Sequence, residues 1–234
     1  MGDLQRPNAR RILARLNTDR RPAGALDFEP LSQARADTDD TKSMSAQEEK
    51  TLPPFETRAT ASGFMTDVEM DRLIADHAAL VKEGQLGGGG ADQRVRRSRV
   101  AFLGMEPKYR WLYDRVWAAA QECNRLFFNV DISAVEGNLQ LARYDSSDQG
   151  FYDWHTDFAG FRPLRKISVS VQLSRDEDYE GGDLELLFAN QAEPMERTRG
   201  AFIAFPSFVL HRVTPVTRGT RWSLVAWILG NRWR

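Results

Sequence analysis

The chain has 234 residues, of which 41% are hydrophobic, and a formal net charge of −1 at pH 7. So small a charge provides no global field toward nucleic acid or an anionic membrane, and neither is expected as a partner. The single cysteine, Cys123, excludes an intramolecular disulfide and a zinc site built from cysteines. No stretch is long and apolar enough to span a bilayer and the N-terminus lacks a secretory signal, so we expect a cytoplasmic protein.

Residues 1–54 differ in composition from the rest of the chain, because they are polar, charged and poor in aromatic side chains. Such a segment buries too little apolar surface to order itself alone. We therefore expect a flexible N-terminal arm followed by one domain over residues 55–234. The arm is either a solvated tail or a segment that docks on the domain or on a partner.

The domain is predicted to begin with helices that support a β-core, over residues 64–128. Thr66 and Glu69 match a capping box, which predicts the start of a helix that ends near Gly84. His77 belongs to the apolar face of this helix and is interpreted as a structural residue. A second helix follows Pro107, and its predicted core positions are Leu112, Val116, Ala119, Ala120, Cys123, Leu126 and Phe127.

The segment between the two helices contains a glycine run, Gly87–Gly90, which has few conformational limits. It predicts a mobile loop over residues 85–93, either ordering over the cavity mouth when substrate binds or simply connecting two elements. The strand predicted from Arg94 to Leu103 carries several basic side chains. We interpret them as a solvated edge, with contact to an acidic substrate or a phosphate as the alternative, for Arg94, Arg96, Arg97 and Arg99.

From residue 138 to residue 230 the hydrophobic pattern has a period of two, with turn signals between short segments. This pattern predicts a mainly β domain with a jelly-roll core, that is, a double-stranded β-helix with supporting α-helices. The predicted strands are Leu139–Tyr144, Phe151–Asp157, Lys166–Leu173, Asp183–Leu187, Ala201–Phe205, Leu210–Val213 and Arg221–Leu229.

Three residues in this region have the chemistry of a metal site. His155 and Asp157 are two positions apart in a predicted strand, so their side chains share a face, and His211 lies in a second apolar strand. Two histidines and one carboxylate form the facial triad of non-haem Fe(II) oxygenases, so all three are predicted metal-binding and catalytic residues. Arg221, in the last strand, can clamp the far carboxylate of an organic acid bound at the metal.

These residues resemble the 2-oxoglutarate/Fe(II) dioxygenases, in particular the prolyl-4-hydroxylase-like branch that includes the bacterial PKHD-type hydroxylases. The resemblance extends from about Gln140 to Leu229. It rests on an ordered set of motifs, namely the Tyr144 segment, Tyr152-x-x-His155-x-Asp157, Arg165-Lys166-Ile167-Ser168, Glu180-Gly181-Gly182-Asp183-Leu184, Phe205-Pro206-Ser207, and His211-x-Val213-x-Pro215-Val216 with Gly219 and Arg221.

The resemblance implies Fe(II) as cofactor, 2-oxoglutarate and O2 as cosubstrates, ascorbate as reductant, and release of succinate and CO2. It places Arg221 on the C5 carboxylate of 2-oxoglutarate, adds Gln172 at the same carboxylate, and places Tyr144 at the metal-side end of the cosubstrate. Ser223 shares the strand face of Arg221 and adds a hydroxyl there, or is a polar filler. Tyr152 and Trp154 point away from the ligands in an ideal strand, so we expect them to pack in the wall, with a turn that brings Tyr152 into the cavity as the alternative.

The carboxylate at position 157 favours hydroxylation, because related halogenases carry a small residue at this position. The expected reaction is hydroxylation of an aliphatic C–H bond in a peptide or protein side chain, as the resemblance implies. A free amino acid or small peptide-like metabolite is the alternative substrate. A non-catalytic metal-binding jelly roll and a nucleic-acid demethylase are the other functions considered, and the complete set of ligands with Arg221 argues against the first.

Overall fold

The computed structural model describes residues 27–28, 57–85, 92–158 and 164–231. The predicted boundary at residue 54 and the glycine run Gly87–Gly90 lie outside the described residues. Of the predicted arm, residues 27–28 are described, and they pair with the strand that contains Ala61 and Ser62. No helix among the described residues is both long enough and apolar enough to cross a membrane.

The described residues form fifteen strands in two antiparallel sheets. The strands are β1 (Asp27–Phe28), β2 (Ala59–Ser62), β3 (Lys82–Glu83), β4 (Arg96–Arg97), β5 (Arg99–Gly104), β6 (Ala134–Val135), β7 (Asn138–Asp145), β8 (Phe151–His155), β9 (Arg165–Gln172), β10 (Tyr179–Gly181), β11 (Leu184–Phe188), β12 (Gln191–Pro194), β13 (Phe202–Pro206), β14 (His211–Val213) and β15 (Val216–Leu229). The larger sheet has the order β1-β2-β13-β9-β15-β7-β5-β3, with β6 and β10 also pairing with β15, and the smaller has the order β12-β11-β14-β8-β4. This architecture confirms the predicted mainly β, jelly-roll fold.

The last strand is longer than predicted, because it begins at Val216 rather than at Arg221. Its first residues pair with β10, with Tyr179 opposite Gly219. Further along, β15 lies between β7 and β9 and pairs with both. Such long-range pairing is invisible to local periodicity, which is why the sequence predicted only the apolar half of the strand.

The two faces of the larger sheet have different chemistry. One face carries buried aliphatic side chains that pack with the helices in a single apolar core, including Leu141, Val171 and Leu224. On the alternate positions of the same strands lie buried polar side chains, including Gln140, Tyr144, Ser168, Ser170, Gln172, Arg221 and Ser223. The strands are therefore covered on both faces, and the second face forms a polar interior.

The first helix, α1 (Asp67–His77), begins with the predicted capping box. The Thr66 hydroxyl accepts from the Glu69 N–H at 3.3 Å, and the Glu69 carboxylate accepts from the Thr66 N–H at 2.9 Å. The helix ends at His77, so the prediction that it extends to about Gly84 is wrong. The reason is tertiary, because Lys82 and Glu83 form the edge strand β3 on β5.

His77 is a structural residue, as predicted. Its ring is buried, with Nδ1 2.8 Å from the Leu73 carbonyl and Nε2 2.7 Å from the Tyr109 hydroxyl. Because a carbonyl can only accept, Nδ1 carries the proton and the Tyr109 hydroxyl donates to Nε2.

The second helix, α2 (Arg110–Cys123), follows a 3₁₀ turn at Pro107–Tyr109 and continues into a π-helical turn at Asn124–Phe128. The predicted core positions from Leu112 to Cys123 are buried, but Leu126 is 45% exposed, so its assignment to the core is wrong. In the π turn the Asn129 N–H bonds to the Asn124 carbonyl, five residues back. The wider turn changes which residues face the core and buries Phe128 instead.

Candidate metal centre

The two histidines come together through the pairing of two strands of the smaller sheet. His155 ends β8, His211 begins β14, and the two residues are direct antiparallel partners. Their rings lie 4.1 Å apart between centroids. The pairing of β8 with β14 therefore brings together two residues that are far apart in sequence.

Asp157 lies beyond the end of β8, so the predicted strand Phe151–Asp157 is two residues too long. The N–H groups of Asp157 and Phe158 both donate to the Ser207 carbonyl at 3.0 Å. These bonds turn the chain away from the sheet toward the segment that leads to His211. Asp157 reaches the histidines through this bend rather than through strand alternation.

One donor atom from each of His155, Asp157 and His211 lies within 4.8 Å of the others. Both Nδ1 atoms face backbone carbonyls, at 2.7 Å from Asp153 O for His155 and at 3.0 Å from Val209 O for His211. Because a carbonyl only accepts, each Nδ1 carries the proton and each Nε2 has a free lone pair. Such bonds orient histidine ligands around a metal.

One buried serine, Ser168, holds the carboxylate of Asp157 and contacts a second buried serine, Ser207. The Ser168 hydroxyl donates to Asp157 Oδ2 at 2.6 Å and lies 3.0 Å from the Ser207 hydroxyl. Since Ser168 has one hydroxyl proton, Ser207 donates to Ser168. The sequence motifs contained both serines, but no local pattern indicated that their side chains meet beside Asp157.

Arg165 approaches the same carboxylate, with Nη1 3.8 Å from Asp157 Oδ1. Its Nε and Nη2 form a fork on Glu136 at 2.6 and 3.1 Å, and its guanidinium lies 3.7 Å from the centre of the Trp227 ring. Bound in this way, the arginine is a fixed positive charge beside the Asp157 carboxylate.

The electrostatics favour the metal-binding protonation states. Burial, followed by the charge of His211, lowers the pKa of His155 below its ordinary value. Burial opposes ionisation of Asp157, but His211 and His155 outweigh it, and the pKa of Asp157 lies below its usual range. A neutral imidazole and an ionised carboxylate are the forms that bind a divalent cation. Two imidazole nitrogens and one carboxylate oxygen are the donor set that suits Fe(II).

The four residues predicted to bind 2-oxoglutarate lie on the polar face of the larger sheet. Tyr144 is the direct partner of Arg221, and Gln172 is the direct partner of Ser223, so all four side chains share one face. Arg221 is only 1% exposed and donates from Nη2 to Gln172 Oε1 at 2.8 Å. Its Nε and Nη1 are buried without a hydrogen-bond partner among the described residues.

Tyr152 packs against the buried cluster that contains Val213 and Val216, as predicted for a wall residue, but it does not point away from His155. Its ring stacks on the His155 ring with centroids 3.5 Å apart. A bulge causes this, because the pairing of β8 with β14 shifts between His211 opposite His155 and Val213 opposite Tyr152. Trp154 does pack as expected, under the guanidinium of Arg212 at 4.6 Å.

The arginine run before β5 is a solvated edge only in part. The Arg94 side chain is exposed and pairs with Asp92, whereas Arg96 is only 5% exposed. The Arg96 guanidinium lies 4.6 Å from the centre of the Tyr152 ring. The solvated-edge interpretation of Arg96 is therefore wrong, because the pairing of β4 with β8 places it over Tyr152.

Comparisons with known proteins agree with this geometry. The family model of the 2OG-Fe(II) oxygenase superfamily matches residues 139–229. A PKHD-type hydroxylase of Synechococcus sp. (strain JA-2-3B'a(2-13)) is 30% identical over 161 residues, which cover 67% of this chain and 69% of the relative. A second PKHD-type hydroxylase, from Picosynechococcus sp. (strain ATCC 27264 / PCC 7002 / PR-6), is 40% identical over 147 residues, covering 62% and 65%.

Solved structures with the same fold include a prolyl-4-hydroxylase from Pseudomonas putida, with a TM-score of 0.60 and 18% identity over 75% of this chain and 93% of that one. A prolyl hydroxylase from Trichoplax adhaerens, solved with a peptide fragment of hypoxia inducible factor, has a TM-score of 0.64 and 21% identity over 74% and 84%. At these identities the likeness establishes the fold. Together with the relatives, it shows that the chain belongs to the 2-oxoglutarate/Fe(II)-dependent oxygenases, in the prolyl-4-hydroxylase-like branch of PKHD-type hydroxylases.

Proposed function

We propose that this hydroxylase inserts one oxygen atom into an aliphatic C–H bond of a peptide or protein side chain. The second oxygen atom of O2 enters 2-oxoglutarate, which leaves as succinate and CO2. The observation that carries the proposal is the cluster of His155, Asp157 and His211, whose donor atoms lie within 4.8 Å of one another.

In this proposal His155, Asp157 and His211 hold Fe(II), which, when bound, supplies O2 activation coupled to decarboxylation of 2-oxoglutarate. The backbone carbonyls of Asp153 and Val209 keep both histidines in the binding tautomer. The Ser168 hydroxyl orients the carboxylate of Asp157. These contacts fix the ligands before the cofactor binds, which reduces the cost of ordering them.

Arg221 binds the C5 carboxylate of 2-oxoglutarate in this scheme. This assignment is supported by the burial of the Arg221 guanidinium, two of whose nitrogens have no partner among the described residues. A buried charge is costly without a counter-ion. Gln172 holds the guanidinium through Nη2. Tyr144 and Ser223, on the same sheet face, supply hydroxyl groups to the cosubstrate.

A peptide substrate is supported by the fold, which this chain shares with the peptide-bound prolyl hydroxylase of Trichoplax adhaerens. The alternative is a free amino acid or small peptide-like metabolite. We place the reaction in the cytoplasm, because a reducing compartment keeps iron ferrous and the single cysteine, Cys123, is buried. Ascorbate is the proposed reductant that restores Fe(II).

The experiment is a panel of blocked peptides and free amino acids, assayed for succinate from 2-oxoglutarate and for a mass gain of one oxygen. We expect a peptide to be hydroxylated and His155→Ala to abolish turnover with little loss of fold. If an amino acid is hydroxylated only when both of its ends are free, the substrate is the alternative, a free amino acid, and the peptide substrate is excluded.

The assay also separates the enzyme from a non-catalytic jelly roll, since oxygenases of this kind turn over 2-oxoglutarate slowly without substrate. Wild-type protein that makes no succinate with iron, under any condition, would contradict the proposed function. Full iron-dependent activity in His155→Ala would contradict the assignment of the metal ligands.

A further inference from the structure

Two arginines stand apart from the others in their surroundings. Arg96 and Arg221, with 5% and 1% exposure, are the only arginines among the described residues that are buried. Neither has a carboxylate within ion-pair distance in the described part of the chain, whereas even the half-buried Arg165, Arg197 and Arg199 do. A buried cation without an anion is unfavourable, so both positions call for a negatively charged ligand.

The two arginines occupy different sites. Arg221 lies in the middle of the larger sheet, on β15, where the cosubstrate is proposed to bind. Arg96 lies on β4, the edge strand of the smaller sheet, directly opposite Tyr152 on β8. Tyr152 in turn stacks on the ligand His155, so Arg96 is separated from the metal centre by two ring contacts of 4.6 and 3.5 Å.

The surrounding residues hold the Arg96 guanidinium in one orientation. Nε donates to the Ser98 hydroxyl at 2.7 Å, Nη1 donates to the Gln85 carbonyl at 3.1 Å, and the plane lies over Tyr152. Gly84 leaves the space for this arrangement, because a Cβ there would be 2.5 Å from Ser98 Oγ and 2.8 Å from Arg96 Nε. Nη2 remains buried with no hydrogen-bond partner among the described residues.

We propose that Arg96 and Tyr152 form a subsite that binds a carboxylate of the primary substrate. This proposal rests on the proposed hydroxylase function. A single cation with one unpartnered nitrogen matches a singly charged carboxylate bound by a charge-assisted hydrogen bond. The Tyr152 ring supplies the wall between this carboxylate and His155. The substrate class is therefore a molecule that carries a carboxylate close to the hydroxylated carbon, either a free amino acid or a peptide with an acidic group.

Binding, rather than turnover, tests the subsite. Full-length protein loaded with Mn(II) and saturating 2-oxoglutarate is titrated calorimetrically with free amino acids and with their carboxamides. Blocked peptides with Glu or Gln beside the central residue form a second arm, which distinguishes a peptide acid from a free amino acid. We expect one acid to bind on the order of 30-fold or more tightly than its amide, as for other buried charge pairs.

The preference for acid over amide should be lost in the Arg96→Gln variant. It should be kept in the control variant Arg94→Gln, which removes the same charge from a nearby exposed arginine. Arg96→Lys retains a cation and should keep part of the preference. That result would show that the loss of preference in Arg96→Gln is not caused by misfolding. Gly84→Ala provides a second variant, because it displaces the guanidinium without removing it and should also reduce the preference.

Equal binding of acid and amide by the wild type would overturn the proposal, as would a panel in which no acid binds. A preference that persists in folded Arg96→Gln would do the same. The proposed hydroxylase function is judged separately, by succinate formation in the iron-loaded wild type in air. A structural role for Arg96 would alter stability but not the discrimination between acid and amide.

Discussion

The two faces of the larger sheet are formed by alternate residues of the same strands, yet they serve different purposes. Leu224 faces the helices within a continuous apolar core, while its neighbours Ser223 and Val225 point to the other side. The polar face, which is the inner face of the sheet, contains buried hydroxyls, amides and the guanidinium of Arg221, two of whose nitrogens have no partner in the described residues. One face therefore stabilises the fold, and the other keeps polar groups that await a ligand.

The sharpest way to test this difference is Arg221→Ala on the inner face. Truncating one partner of a buried charge pair costs on the order of 2–5 kcal/mol, so the KM for 2-oxoglutarate should rise by at least roughly 30-fold. Stability of the ligand-free protein should stay the same or increase, because an unpaired buried cation is removed. Steady-state kinetics and denaturant unfolding measure the two effects.

The matched control is Arg143→Ala on the other face of the same sheet. Arg143 lies opposite Trp222, the neighbour of Arg221, and pairs with Asp145. The Arg143→Ala substitution should leave the KM for 2-oxoglutarate unchanged. If both variants raise the KM equally, the assignment of the cosubstrate to the inner face is wrong.

Leu224→Ala tests the apolar face and should have the opposite profile. Its side chain is fully buried in the core, so the free energy of unfolding should fall by about 2–5 kcal/mol. The KM for 2-oxoglutarate should not change at temperatures where the protein is folded. Val225→Ala, the half-buried neighbour on the inner face, is expected to cost less, and an equal loss would remove the distinction between the faces.

Ser168→Ala tests how far the inner face supports the metal. Removing the donor to Asp157 Oδ2 should weaken metal affinity by roughly 10–100-fold, as for other groups that orient ligands. Mn(II) titration measures this without turnover. Ser168→Thr, which keeps the hydroxyl, should restore binding, and Ser170→Ala, two residues along the same face, should have no effect.

The smallest effect is expected at the start of α1, far from the polar face. Thr66→Ala should cost about 1 kcal/mol of stability at pH 7, since it removes an N-cap, and leave the KM unchanged.

The Arg115 hydrogen bond chiefly lowers the pKa of its partner Glu69 to about 2. The contribution of Glu69 is therefore complete above its ordinary pKa and is lost as the pH falls toward 2, which unfolding at pH 7 and pH 3 would detect.

Local signals in the sequence determined several features correctly. The period-two pattern predicted the jelly-roll strands, and the capping box predicted the first residue of α1. The spacing of His155, Asp157 and His211 indicated a metal site, and the structure brings their donor atoms together. These features depend on residues close in the chain or on residue types with few alternative uses.

Only the tertiary structure decided which side chains surround the three predicted metal ligands. A bulge against β14 turns Tyr152 onto His155, and the pairing of β4 with β8 buries Arg96 above that ring. The Ser207 carbonyl, rather than strand alternation, brings Asp157 to the histidines. Each of these outcomes depends on the register of a distant partner strand or turn, and a periodic pattern within one segment contains no information about that register.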